Sequence, residues 1–208
     1  MIYLSTAYFP NTQYFSKFLL DTDICIEKQE HYQRRSYRNR CEILAANGKI
    51  NLQVPIQKSH HSQISNVLID YSTNWQKQHF KTLESAYQSS PFFEYIIDDF
   101  MFVFQEKEKY LLELNNKITQ VIMNYLHLDN KIHFTQEYQK QQNIDYRQIV
   151  NIKETKKDLD SSFQALPYYQ TFNDKFPFVP NLSILDLLFN EGNNASCILK
   201  KCVEELKV

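Results

Sequence analysis

Glycine occurs only twice in 208 residues, at Gly48 and Gly192. Cradling a phosphate with backbone amides takes several glycines close together, because only a residue without a Cβ lets the chain approach the anion so closely. Neither a Walker loop nor a GxGxxG turn can be drawn, which excludes the common ATPase, kinase and dinucleotide-dehydrogenase chemistries. The same scarcity marks where the chain turns most easily. Asn47-Gly48 separates two β-prone runs, 41–44 and 49–56, and predicts a hairpin. Gly192 follows an apolar run at 183–190 and predicts the end of a helix, with the Asn181-Leu182-Ser183 stretch supplying its N-terminal cap.

Residues 2–9 are β-prone and aromatic, and Pro10-Asn11 punctuates them, which predicts a first strand. Tyr14, Phe15, Phe18 and Leu19 recur at helical spacing within 12–20, and 23–26 resumes a strand pattern. A strand–helix–strand opening favours a parallel pair. The expected fold is therefore α/β, with a Rossmann-like N-terminal half and a helical C-terminal half. Residues 67–70 predict a strand, and 73–88 a helix capped by Ser72 or Thr73. Two more helices are predicted at 92–99 and 100–127, a strand at 131–137 and a terminal helix at 193–208. Residues 139–160 read as a soft polar stretch. No repeat and no long flexible linker is evident, so a single domain over 1–208 is expected.

Twenty-three basic residues stand against 24 acidic ones. A nucleic-acid binder usually carries a basic excess, so nucleic acid is not the expected partner. The start of the chain shows no basic segment followed by an apolar run and a cleavage site, no apolar run reaches spanning length, and the four cysteines are scattered. A cytoplasmic protein without a membrane span or disulfide framework is the expectation. The residues name no cofactor. His60 and His61 would point to opposite faces of an extended segment, so no metal site is expected.

Charge is nevertheless concentrated locally. Arg34, Arg35, Arg38 and Arg40 fall within seven positions. A guanidinium fork grips phosphate or carboxylate with two hydrogen bonds and stays charged near pH 7, so Arg38 and Arg40, with Asn39 between them, could hold an anion. If the stretch is extended, side chains 38 and 40 point to one side; the alternative is a solvated basic loop. His79 shares a helix face with Trp75, Thr82, Leu83 and Ala86, so it points inward. It reads either as a proton acceptor, oriented by Asp70, or as a buried histidine bonded to a backbone carbonyl. Tyr8 and Asn11 sit where the first strand meets the first helix, a natural pocket wall in α/β sheets, or a turn packed by aromatics. Cys41 reads as a small apolar residue, Asp145 with Arg147 as a surface pair, and Asp186 as a buried charge in need of a partner.

Several stretches, taken in order, resemble the WbqC-like family of bacterial proteins. They are Tyr8-Phe9-Pro10 with Tyr14, Phe15 and Lys17; Ser36-Tyr37-Arg38-Asn39-Arg40; Leu52-Gln53-Val54-Pro55-Ile56; Asp70-Tyr71-Ser72-Thr73-Asn74-Trp75 through His79; Ser85-Ala86-Tyr87 with Ser90-Pro91-Phe92-Phe93; and the run from Phe178-Val179-Pro180-Asn181 to Phe189. The resemblance implies a role in surface-polysaccharide synthesis of the O-antigen type. Acyl or aminoacyl transfer to an amino sugar, held on a nucleotide or lipid carrier, is the chemistry most often suggested. On that reading the substrate is a small anionic molecule. His79 with Asp70 would do proton transfer, and Tyr8, Asn11, Arg38, Asn39, Arg40, Trp75, Tyr87 and Asn181 would bind substrate. A non-catalytic sugar-nucleotide-binding or assembly protein of the same pathway is the alternative. The strand–turn–helix start also suggests nucleotidylyltransferase-like folds, but their HxGH signature is missing.

Overall fold

The strand–helix–strand opening is present in the computed structural model, which describes residues 1–20, 23–57, 62–140, 142–148 and 160–204. Strand β1 (Ile2–Leu4) leads through helix α1 (Thr12–Ser16), extended by a 3₁₀ turn at Lys17–Leu19, to β2 (Ile24–Ile26). Asn11 caps α1, its Oδ1 accepting the Tyr14 N–H at 3.0 Å. Strands β1 and β2 pair in parallel, and β2 pairs in parallel with β5 (Ile132–Phe134), giving the order β1-β2-β5 with β5 at the edge. β1 is also bonded on its other side. Tyr3 N–H donates to the Ile144 carbonyl at 3.0 Å, and Tyr146 N–H to the Tyr3 carbonyl at 2.9 Å, forming a parallel bridge to Asp145. β1 therefore lies inside the sheet, and the ends of β1, β2, β5 and the Asp145 segment share one carboxyl edge.

The α/β class thus holds as a small parallel sheet with helices, but the halves of the chain intermix, since β5 and Asp145 come from beyond the middle. The predicted hairpin forms as β3 (Arg40–Ala45) and β4 (Gly48–Gln53), antiparallel, with Gly48 at φ 104°. Residues 67–70 do not form a strand. They make only single bridges, Ile69 to Ile56 and Leu68 to Tyr110. The helix expected over 73–88 runs as α2 (Trp75–Tyr87), and its N-cap residue Asn74 makes no side-chain cap bond. Helix α3 is Phe93–Ile97.

The long helix expected over 100–127 is broken into α4 (Met101–Gln105) and α5 (Leu111–Leu126). The intervening backbone is committed elsewhere. Gln76 Nε2 donates to the carbonyls of Val103 and Glu106, Tyr71 Oη to that of Glu108 at 2.9 Å, and Ile69 N–H to that of Lys109 at 3.1 Å. Tertiary bonds of this kind override a helical pattern. Along α5 the stripe Leu111, Leu114, Ile118, Ile122 and Leu126 is buried in the core as the periodicity requires.

Helix α6 (Ile184–Glu191) begins with Ser183, whose hydroxyl accepts the Leu185 N–H, and ends at Gly192; α7 (Ala195–Glu204) follows. Within α6, Asp186 is 1% exposed and pairs with no arginine. Its carboxylate accepts from Tyr87 Oη at 2.9 Å, Tyr168 Oη at 2.8 Å and Gln170 Nε2 at 3.1 Å. Burial raises its pKa and these three donors oppose the rise. Tyr87 is thereby a strut between α2 and α6.

The two glycines make different demands. Gly192 has φ 53°, and a Cβ there would lie 2.6 Å from the Phe92 ring, whereas Gly48 is left-handed but faces open space. Backbone strain of about 1–2 kcal/mol applies at either site, and only Gly192 adds a clash. Gly192→Ala is expected to lower stability by about 3 kcal/mol and Gly48→Ala by about 1 kcal/mol in urea unfolding at pH 7.

Candidate functional site

Burial sorts the candidate residues into separate groups. Tyr8, Trp75 and His79 meet in one aromatic nest. The Tyr8 hydroxyl lies 2.9 Å from His79 Nδ1, and the Trp75 ring packs edge-on against the imidazole with centroids 5.1 Å apart. His79 also hydrogen-bonds the Gln53 main chain. Only 5% of the residue is exposed, and burial lowers its pKa to about 4 against the opposing pull of Gln53. The ring is therefore neutral at pH 7, with both contacts made inside the protein. Asp70 is not among them; its carboxylate accepts the Ser72 N–H at 2.8 Å just ahead of α2. Trp75 Nε1 is buried without a hydrogen-bond partner.

Arg38, Asn39 and Arg40 diverge. Residues 37 and 38 form a turn, so the two-residue alternation of a strand does not apply. Arg38 is 2% exposed and grips Glu30 with two hydrogen bonds, Nε to Oε1 and Nη2 to Oε2, both 2.8 Å; Nη2 also donates to Ser5 Oγ at 2.7 Å. Its charge is thus compensated within the fold. Asn39 Nδ2 donates to the Val54 carbonyl at 2.8 Å, tying β3 to the end of β4. Arg40 takes a third direction, into a hollow of about 470 Å³.

That hollow is lined by Tyr32, Arg34, Arg35, Arg40, Gln53, Ile56 and Gln57. Among the described residues, three guanidinium groups line it and no carboxylate does, and Arg40 Nε is buried without a hydrogen-bond partner. Arg35 holds a left-handed backbone at φ 57°, a strained state for a side chain other than glycine. Burial raises the pKa of Tyr32, while the charges of Arg40, Arg38 and Arg34 pull it down. Gln53 joins the hollow to the aromatic nest, lining the first and bonding His79 through its backbone. The nest therefore lies behind the wall of the hollow rather than in it.

Asn11 and Asn181 mark another polar cluster, at the start of α1. Asn181 Oδ1 accepts the Gln13 N–H at 3.0 Å and the Thr12 hydroxyl at 3.3 Å, and its Nδ2 donates to Gln13 Oε1. Gln13 in turn donates to Asp160, which is ion-paired with the fully buried Lys17. Cys41 is buried, its thiol pushed up well beyond the ordinary range chiefly by that burial, which keeps it neutral.

The carboxyl edge of the sheet holds residues that periodicity did not single out. Glu27, directly after β2, is fully buried and accepts from the Thr135 hydroxyl, the Gln29 N–H, the Gln139 N–H and Arg147 Nη1. Asp145 and Arg147 are not a surface pair. Arg147 is 5% exposed and also donates from Nη1 to the Gln139 carbonyl at 2.7 Å. Burial pushes the Asp145 carboxyl up, yet its bonds to Arg147 outweigh this and hold it below the usual range. Charged residues immediately after a strand were the available signal, because ligands of open α/β sheets gather at that edge. Among the described residues, no group of three or more His, Cys, Asp or Glu side chains could hold a metal, and no helix is long and apolar enough to cross a membrane. His60 and His61 lie outside the described residues.

The model of the WbqC-like protein family matches residues 6–160 and 153–198, and the chain belongs to that family. It is similar to "Uncharacterized protein Rv1507c" of Mycobacterium tuberculosis, with 27% identity over 224 aligned positions covering 96% of each chain. No solved structure matches it.

The nest has a measurable signature. An unfolded histidine takes up its proton near pH 6.5, whereas His79 resists until about pH 4. Acidification through that window therefore favours unfolding, by up to roughly 3 kcal/mol for this buried group. Stability is fully present above about pH 7 and declines as pH falls. His79→Gln, which keeps a donor and an acceptor but cannot charge, is expected to flatten the profile of melting temperature between pH 4.5 and 7.5. Equal slopes in both proteins would show that another group carries the linkage.

Proposed function

We propose that this protein is an acyl- or aminoacyl-transferase for an amino sugar linked to a nucleotide or carrier phosphate, in bacterial surface-polysaccharide assembly of the O-antigen type. Membership of the WbqC-like family supports the pathway. The observation that carries the ligand class is the hollow with three arginines and no carboxylate among the described residues of its lining. A diphosphate brings the negative charge such a lining lacks, and each guanidinium can meet it with two charge-assisted hydrogen bonds. On this reading Arg34, Arg35 and Arg40 hold the phosphoryl portion, with Tyr32, Gln53 and Gln57 completing the wall. A Rossmann-like arrangement, with ligands along one rim of the domain, belongs to the same reading.

The roles of the other residues follow from their neighbours. His79 is a positioning residue, because a neutral ring bonded to Tyr8 and the Gln53 main chain fixes the strand end that borders the hollow. Tyr8 and Trp75 support it. Arg38, Asn39, Tyr87, Asn11 and Asn181 hold the frame. In the reaction the sugar amine would form an amide bond to the acyl carbon, and the donor's leaving group would depart as the amine loses a proton. One observation favours a purely binding protein: the arginines, glutamines and Tyr32 around the hollow include no group that readily takes up a proton near pH 7.

Calorimetric titration with UDP and with inorganic diphosphate tests the ligand class. Arg40→Gln is expected to weaken binding about tenfold or more, since charge-assisted bonds contribute about 1.5–3 kcal/mol each, and affinity is expected to fall with added salt. Unchanged affinity in the Arg34→Gln/Arg35→Gln/Arg40→Gln protein would overturn the reading. Mass spectrometry of a UDP-amino sugar incubated with the protein and a bacterial metabolite fraction separates the two functions. Addition of an acyl mass supports transfer, and intact affinity without any mass change supports binding alone.

A further inference from the structure

We infer that the hollow at the carboxyl edge of the parallel sheet is a second ligand site, one that takes a hydroxyl-rich sugar ring rather than an anion. It measures about 490 Å³, within the range of small-molecule sites, and its lining includes Gln33, Gln63, Tyr138, Lys140, Asp145 and Arg147. It is a different space from the arginine hollow, although the two share a wall. Glu30, His31 and Gln33 face the sheet-edge hollow, while Tyr32, Arg34 and Arg35 face the other. A single passage of backbone therefore separates them.

The chemistry of the two spaces is opposed. At the sheet edge the guanidinium groups are already committed: Arg38 to Glu30 and Ser5, and Arg147 to Asp145, Glu27 and the Gln139 carbonyl. The carboxylates of Glu30 and Asp145 remain on the lining as fixed acceptors. An incoming phosphate would meet two carboxylates and an Arg147 already engaged by Asp145 and Glu27, with the ammonium of the exposed Lys140 as the one attractive charge on the described lining. A sugar hydroxyl both donates and accepts, so it can bond a carboxylate oxygen and a carboxamide in one place. Gln33 and Gln63 supply exposed carboxamides of that kind. Tyr138, 54% exposed, has the Arg147 guanidinium 5.7 Å from its ring centroid, so a large aromatic surface borders the hollow. A flat ring of this kind accepts the C–H face of a pyranose.

The arrangement also suits the fold. Glu27, Glu30, Asp145 and Arg147 hang from the ends of β2 and of the segment beside β1, where main-chain bonding fixes them before any ligand arrives. The role of this pocket as a holder of the amino sugar rests on the transferase reading; the binding of a free sugar does not.

The test uses the full chain and two uncharged-to-cationic probes, N-acetylglucosamine and glucosamine, with inorganic phosphate as the contrast, followed by saturation-transfer NMR and calorimetry. Saturable sugar binding is expected, with phosphate failing to compete. Tyr138→Ala, at an exposed position, is expected to fold normally and to weaken the sugar about fivefold to tenfold. Arg40→Gln is expected to leave sugar affinity unchanged while weakening UDP. Absence of saturable sugar binding, or sugar affinity unaffected by Tyr138→Ala and by Gln63→Leu, would overturn the proposal. Loss of UDP response in the arginine variants with sugar binding unaffected would leave this site standing, and the reverse result would remove it alone.

Discussion

The buried pair of Arg38 and Glu30 is the interaction on which the rest of the molecule depends. Taking two charges out of water is costly, and only close geometry with donors engaged offsets the cost. The geometry here is close, and at least three of the five guanidinium N–H groups are engaged, two by Glu30 and one by Ser5. The main chain is engaged as well, since Asn115 on α5 donates to the Arg38 carbonyl at 2.8 Å and to the Thr6 hydroxyl at 3.1 Å. One residue thus joins the end of β1, the loop after β2 and the longest helix. Residues 30–40, which contribute to the lining of both hollows, are anchored by that junction.

A consequence for chemistry is that cation and ligand cannot be equated. Four arginines crowd one short stretch, but the fold divides them by partner. Arg38 has its counter-charge in the protein, whereas Arg34, Arg35 and Arg40 line a space that holds none among the described residues. The same loop therefore gives an electrically settled floor on one side and an electropositive basin on the other. A desolvated charge with a partner stabilises a frame; unpaired charges that face water attract something from solution.

Legibility from sequence followed the range of the forces involved. The hairpin at Asn47-Gly48 and the end of α6 at Gly192 were readable because a left-handed backbone is a local demand that glycine meets. The α1 and α5 stripes were readable from periodicity. The inward direction of His79 was also visible, since the apolar face of α2 fixes it. Its neighbours were not, because Tyr8 is 71 residues away and nothing local announces a hydroxyl opposite the ring. The break between α4 and α5 was hidden for the same reason: carbonyls of 103–109 are taken by Gln76, Tyr71 and Ile69. Arg38 and Arg40 looked equivalent in sequence, and only the turn at 37–38 and the distant Glu30 and Ser5 tell them apart. Asn115 was overlooked because a polar residue on an apolar stripe has no meaning until its partners are known.

The outer strand of the sheet bears on how the molecule behaves among its own copies. β5 has only three residues, Ile132 to Phe134; its central His133 and the preceding Lys131 are exposed. So brief a ladder presents too few free amides and carbonyls to recruit a foreign strand, and the flanking charge keeps a second molecule at a distance. Among the described residues no further strand pairs with β5, and its brevity alone makes that border a poor template for a second copy.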